Sequence, residues 1–297
     1  MSNSQMRDVS EAVLSSMTEE EFVNYSRHKG NHVVHHRGRY WEEMFPGLYQ
    51  PVHFLARLSA DQVTRPSLLC WGFRAALSED DQEAANGSIP VHLLSNVEGY
   101  TLETLASKRR NQLRKCCKLV KIVQLIGSAL LQEQGYGVLV SSLQRTLNPT
   151  GNPYRKMPLK EDYLADLADW STHKNELILA GFIGDKLGGY IIGYAVDGTA
   201  YMESVDVATE ALATNISTGL YFEFVQACRR SGKICEIVNS PHMPEDPALG
   251  NFKEGMGFPV KYVPSKVQLN PIIEKYSRYR RPLGYYRLTG YIDHNKS

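Results

Sequence analysis

The chain of 297 residues has no apolar run approaching the roughly 18–20 residues that a membrane-spanning helix needs. Met1–Ser10 is polar and has no signal-peptide core, so a cytoplasmic location is expected. Charge of one sign is lacking as well. The 33 Lys and Arg stand against 32 Asp and Glu, a formal net charge of +1, which gives no sign of a general nucleic-acid binder. Electrostatic arguments must therefore rest on local clusters. The five cysteines (Cys70, Cys116, Cys117, Cys228 and Cys235) are odd in number, include an adjacent pair that closes a strained ring, and form no CxxC. They read as reduced thiols. His28, His32, His35 and His36 lack acid or cysteine partners at ligand spacing, and no metal is expected. GxSxG, a P-loop and a GxGxxG opening a βαβ unit are all missing, which leaves little support for hydrolase or nucleotide-fold chemistry. There is no repeat at a fixed period.

What is present is an ordinary globular composition, 42% hydrophobic and 22% charged, enough for one large domain or two smaller ones. Ser10–Arg27 reads as a short helix, with Thr18 as cap and Glu19, Glu20 and Glu21 at its positive end. Val33–Val34, Val52–Leu55, Leu68–Phe73 and Val91–Leu94 suggest strands, and Ser78–Ser88 an exposed loop. Thr101–Leu125 has helical spacing and carries Lys108, Arg109, Arg110, Arg114, Lys115, Lys118 and Lys121 with no acid between them. Leu147–Pro153 reads as a loop and Leu159–His173 as a helix. Then come three strand-like runs, Leu177–Ile183, Gly188–Val196 and Thr199–Val207. Gly184-Asp185 and Asp197-Gly198 separate them as tight-hairpin signals. A helix over Ser217–Ser231 ends at Gly232; a strand (Ile234–Val238), a short helix (Pro247–Met256) and a last strand (Val260–Gln268) follow. Trp41, Phe45, Tyr49, Trp71 and Phe73 read as core. The aromatic and basic stretch Tyr276–Arg287 reads as a C-terminal segment packed along the sheet.

Three antiparallel strands, a helix, a strand, a helix and a strand resemble the core of the GNAT acyltransferase superfamily. Leu220–Gly232 looks like that family's carrier-binding helix with its terminal glycine. Asn251–Phe258 (NFKEGMGF) and Leu105–Arg114 (LASKRRNQLR) are similar to segments of its FemAB-like branch. One departure is that Ala211–Ile216 lacks the basic residue and first glycine of the Arg/Gln-x-x-Gly-x-Gly/Ala signature. The resemblance covers the second half well and the first half poorly. It implies an α+β fold with a GNAT-like mixed, mainly antiparallel sheet flanked by helices. Residues 1–100 would form an N-terminal lobe, a diverged or partial GNAT-like module, and residues 101–297 the acyltransferase domain.

In that fold two neighbouring strands splay, a thioester carrier pairs with exposed strand backbone, and its diphosphate meets the N-terminus of the next helix. Glu203, mid-strand, is the candidate base, with Asp206 three residues on expected on the opposite face. His242, in the loop after Ile234–Val238, is the second catalytic candidate. Val205, Val207, Asn215, Ser217, Thr218, Gly219 and Lys253 are the candidate carrier-binding residues. The plain alternatives are a surface carboxylate, a loop histidine, ordinary helix capping by Asn215 or Ser217, and an exposed lysine. The implied reaction moves an acyl group from acyl-CoA or acetyl-CoA to a primary amine of a small molecule or sugar. Two rivals are an aminoacyl-tRNA-dependent ligase and a non-catalytic binding module, and an acyl-carrier protein is a further donor. On any of these, Arg109, Arg110 and Arg114 are the cations expected to meet an anionic partner.

Overall fold

The computed structural model describes residues 5–150, 157–170 and 175–291, except the side chains of residues 146–150 and 169–170. In chain order the first elements are β1 (Met6–Asp8), β2 (Ser16–Met17), α1 (Glu19–His28), β3 (Val33–His36), β4 (Arg39–Phe45), β5 (Leu48–Pro51), β6 (Arg57–Leu58), β7 (Gly72–Leu77) and β8 (Gly87–Leu94). Next come α2 (Ser107–Leu119), β9 (Lys121–Leu125), α3 (Tyr136–Thr150), α4 (Lys160–Trp170), β10 (Leu177–Ile183), β11 (Lys186–Val196), β12 (Thr199–Val207) and α5 (Ile216–Ser231). The last are β13 (Glu236–Pro241), α6 (Pro247–Gly255), β14 (Val260–Leu269), α7 (Pro271–Arg280) and α8 (Pro282–Thr289). They form two compact units, Met1–Ser16 with Leu93–Pro259, and Met17–His92 with Val260–Ser297. Each unit is discontinuous along the chain, where the sequence reading draws a single division near residue 100.

In the first unit the strand order is β1-β9-β10-β11-β12-β13. Every neighbouring pair is antiparallel except β12 and β13, which run parallel. The meander follows from its turns: Asp197 (φ 47°) and Gly198 (φ 83°) both take the positive φ that a two-residue turn matched to strand twist requires. Strands β10 and β11 are buried along nearly their whole length, the pattern of a sheet covered on both faces. Helix α5 covers one face with Ile216, Leu220 and Phe224, all fully buried. Small residues on the sheet admit it: a side chain at Gly181 or Gly188 would strike Ile216, and one at Gly193 would strike Phe224. Helix α5 ends at Gly232 in the left-handed region, as expected.

The expected single helix over Thr101–Leu125 is instead α2 followed by β9. Val120 already has an extended backbone (φ −127°, ψ 129°), and Lys121–Leu125 pairs with β1 on one side and β10 on the other. The β-branched Val120, Ile122 and Val123 favour strand, and sheet pairing decides a segment that helical spacing alone fits about as well. The expected loop from Leu147 is also corrected, since α3 runs on to Thr150; residues 151–153 lie outside the described residues. Helix α4 matches the expectation over Lys160–Trp170, and residues 171–173 lie outside the described residues.

In the second unit the order is β8-β14-β7-β5-β4-β3, with β6 beside β7. The β5–β7 and β6–β7 pairs are parallel and the others antiparallel. Trp41 packs edge-to-face on Phe73 at 5.9 Å, and both are buried with Tyr49. Phe45 is 63% exposed and Trp71 half-buried, so the expected core loses those two members. The helix expected from Ser10 starts only at Glu19, on the reciprocal cap of Thr18 and Glu21, and Ser16–Met17 is instead the short strand β2. His32 meets Glu43 at 3.0 Å and His36 meets Thr64 at 2.8 Å. The C-terminal stretch forms the two helices α7 and α8, and α8 packs against β14, where the Tyr286 and Tyr262 hydroxyls meet at 3.2 Å. Pro271 and Pro282 start the two helices, and Tyr285 and Tyr286 are buried. From β7, the buried Arg74 donates to the Arg287 carbonyl (2.6 Å) and to Gln50 (3.2 Å). Both units are α+β with mainly antiparallel sheets flanked by helices. Among the described residues no helix is long and apolar enough to cross a membrane.

Candidate functional site

The β12–β13 pair is the feature that sets up a site. The two strands pair in parallel over three residues, Thr199 with Glu236, Ala200 with Ile237 and Tyr201 with Val238. Strand β12 continues to Val207 and β13 to Pro241 without further pairing between them. The gap thus opens at the carboxyl ends of two neighbouring parallel strands, where open sheets hold ligands. At its root the Asn239 amide reaches the Met202 sulfur at 2.9 Å, and Asn239 also hydrogen-bonds Tyr221 of α5. Burial pushes the Tyr221 hydroxyl up to about 12, so it stays protonated.

The register on the other side of β12 fixes which backbone groups face the gap. The Ala208 N–H donates to the Gly188 carbonyl (2.9 Å), and Gly189 pairs with Val207. That makes Gly189–Val207 a non-hydrogen-bonded antiparallel pair. Val207 and, two residues back, Val205 therefore turn their N–H and C=O away from β11, toward the side where β13 has parted. The Val207 carbonyl accepts from Arg145 of α3 (3.0 Å), which shows the same direction.

Glu203 is exposed and sits in a β-bulge: Ile192 pairs with Ser204 and Gly193 with Met202, so no β11 residue stands opposite Glu203. The bulge shifts the alternation, leaving Asp206 in an environment of its own. Asp206 is buried opposite Tyr190, accepts from the Ser204 hydroxyl (2.7 Å) and hydrogen-bonds Tyr190, which in turn bonds Tyr163 of α4. Burial, then the Asp206 charge, raises the Tyr190 pKa, while burial pushes Tyr163 up to about 12. Sequence reasoning missed Arg145, Tyr163 and Tyr190. They come from three separate elements, and only the register that places Tyr190 opposite Asp206 signals them.

His242 is half-buried directly after β13, past the last β12–β13 pair at Val238, so Glu203 and His242 lie on the two arms that have parted from each other. Beyond β12, a 3-10 turn (Thr209–Thr214) leads to Asn215, which takes the left-handed conformation (φ 61°) at the N-cap of α5 without a side-chain cap bond. Its carbonyl accepts from the N–H of Thr218 (2.9 Å) and of Gly219 (3.3 Å). Ile216 and Ser217 open the helix with no intrahelical acceptor ahead of their N–H groups. Asn215 and Ser217 are half-buried.

Thr218 and Gly219 face inward. A side-chain carbon at Gly219 would lie 2.4 Å from the Cys116 sulfur, so the glycine sets the close approach of α2 to α5. Lys253 of α6 is 4% exposed and donates to the Ser240 hydroxyl on the β13 arm (2.5 Å). On the basic helix α2, only Leu113 and Cys116 are buried. Arg109 lies over the Phe252 ring (4.7 Å) and donates to the Phe252 carbonyl (3.3 Å) near the end of α6, a favourable place for a cation. Lys108, Arg114, Lys115 and Lys118 are exposed.

No family model matches the sequence, and no curated protein matches it. Solved structures do resemble the fold. A conserved protein of unknown function from Bacteroides thetaiotaomicron VPI-5482 superposes with a TM-score of 0.55 at 10% identity, covering 88% of this chain and 98% of that one. The C-terminal domain of a putative lysylphosphatidylglycerol synthetase from Agrobacterium fabrum gives 0.54 at 10% identity, over 86% and 88%. The likeness is one of fold, and the fold is GNAT-like. At this identity the chemistry has to be argued from the site.

Proposed function

We propose that the first unit transfers an acyl group from a thioester, acyl-CoA or acetyl-CoA, to a primary amine on a small molecule or sugar. The observation that carries this reading is the parting of β12 from β13, with the backbone groups of Val205 and Val207 turned into the opening. A pantetheine arm offers amides at a spacing that such a strand edge can pair. The arm's diphosphate would meet Asn215, Ser217 and the first amides of α5, where unpaired N–H groups and the helix dipole favour anions. Thr218 and Gly219 hold that helix end in place from inside, and Lys253 fixes the β13 arm through Ser240. Glu203 is assigned as the base that takes the amine proton, directly or through water, and His242 as the group on the facing arm. On this reading the amine attacks the thioester carbonyl directly, its proton passes to Glu203, and CoA leaves as the thiol.

The test is thermal unfolding with CoA, acetyl-CoA and longer acyl-CoAs. A ligand at about 100 times its dissociation constant adds roughly 2.7 kcal/mol. An upward shift with a preferred chain length is expected. No shift with any of them overturns the acyl-CoA reading in favour of a non-catalytic module or a different carrier.

The exposed cations of α2 favour a second reading, in which the donor is an aminoacyl-tRNA. Arg109 is engaged at α6, so the half-buried Arg110 and the exposed Arg114 are the informative positions. Reversing both to Glu is expected to weaken an anionic donor by roughly tenfold, about 1.4 kcal/mol. Titrations with tRNA and with acyl-CoA at two salt concentrations tell which donor loses affinity, and a steep salt dependence marks tRNA. Unchanged affinity for both removes these cations from the site.

A further inference from the structure

Strand β7 begins and β14 ends side by side in the second unit: Gly72 pairs with Leu269, and the Asn270 N–H donates to the Trp71 carbonyl (2.7 Å). Three segments emerge at that edge. The turn before β7 carries Leu68 and Leu69, 90% and 85% exposed. The β4–β5 hairpin carries the exposed Phe45 and is tied to the same turn through the Trp71 N–H on Gly47 (2.9 Å) and the Trp71 indole on Pro46. Helix α7 buries no residue, and its Ile272 is 77% exposed.

Ile272, Tyr276 and Tyr279 are spaced four and three apart, so they form one stripe on α7. Lys275 and Arg278 border that stripe on one side and Arg280 on the other. The helix's single acid, Glu274, lies off the stripe and accepts from the Tyr285 hydroxyl of α8 (3.1 Å). The surface is thus apolar and aromatic at its centre and cationic at its margins. Scattered exposed leucines need no explanation, but apolar side chains grouped at one edge and bordered by Lys275, Arg278 and Arg280 do; the acids of the same segments are engaged, Glu43 with the Gly47 N–H and His32, and Glu274 with Tyr285.

We propose that this edge docks the protein on an anionic lipid bilayer. The aliphatic tips of Leu68, Leu69 and Ile272 enter the acyl boundary. Tyr276 and Tyr279 sit at headgroup depth, and Lys275, Arg278 and Arg280 meet lipid phosphates. A single-stranded nucleic acid would stack on the tyrosines but leave the three aliphatic side chains in water, so the bilayer fits the whole surface better. The proposal goes beyond the acyl-transfer reading and does not depend on it.

The experiment is co-sedimentation of the full chain with vesicles of phosphatidylcholine alone and of equal parts phosphatidylcholine and phosphatidylglycerol, at low and high salt. Binding to the anionic vesicles, weakened by salt, is expected. Two variants separate the contributions: Leu68→Ser with Leu69→Ser and Ile272→Ser, and Lys275→Glu with Arg280→Glu. All five side chains are exposed, so the unfolding midpoint should hold while each variant lowers partitioning by at least about tenfold. Failure to sediment with either vesicle overturns the proposal, as does partitioning of both variants equal to that of the unmodified chain. Self-association on gel filtration that the serine variant abolishes, without vesicle binding, overturns it in favour of a second copy of the chain. RNA binding lost only in the glutamate variant, again without vesicle binding, overturns it in favour of nucleic acid.

Discussion

Glu203→Gln is expected to lower turnover of an amine acceptor by about 10²–10⁴-fold, the usual contribution of a positioned general base. Its effect on folding should be small, because Glu203 is exposed and the change to Gln keeps its shape. The neighbouring carboxylate gives the contrast. Asp206 is buried among Ser204, Tyr190 and the Arg145 charge, so Asp206→Ala strands hydrogen-bonding partners and should lower stability first. Thiol release from acyl-CoA across an amine panel, together with urea unfolding of both variants, separates the two roles. Turnover by Glu203→Gln equal to that of the unmodified protein would remove Glu203 as the base.

Gly219→Ala should destabilise the first unit by about 1–3 kcal/mol, the range for overpacking a close contact. An exposed glycine in a helix gains nearly 1 kcal/mol on becoming alanine, so the sign itself is diagnostic. The cause is the Cys116 sulfur 2.4 Å from the new methyl, with the end of the Ile122 side chain at 2.8 Å. Sulfur at that position belongs to α2, whose backbone would have to retreat from α5. The double variant Cys116→Ala with Gly219→Ala removes the sulfur and should recover most of the loss, a coupling that a double-mutant cycle measures. If Gly219→Ala instead leaves stability unchanged and weakens only acyl-CoA, the glycine acts at the carrier and not at the helix contact.

The sequence by itself determined the meander β10–β11–β12 and the helix after it. Those signals are local: apolar runs of strand length, Asp197-Gly198 in the turn, and Gly232 as a stop. It also marked the strand on which Glu203, Val205 and Val207 lie, because strand order follows from turn positions. Tertiary structure alone decided where Thr101–Leu125 changes from helix to strand. Lys121–Leu125 fits either period until β1 and β10 pair with it. It decided that β12 and β13 part after Tyr201, which depends on pairings between strands separated by a whole helix. It decided the partners of Asp206 too, since a bulge opposite Gly193 resets the alternation on which a face assignment rests. The pairing of distant strands leaves no mark in the spacing of nearby residues, and the opening at the end of β12 exists only through that pairing.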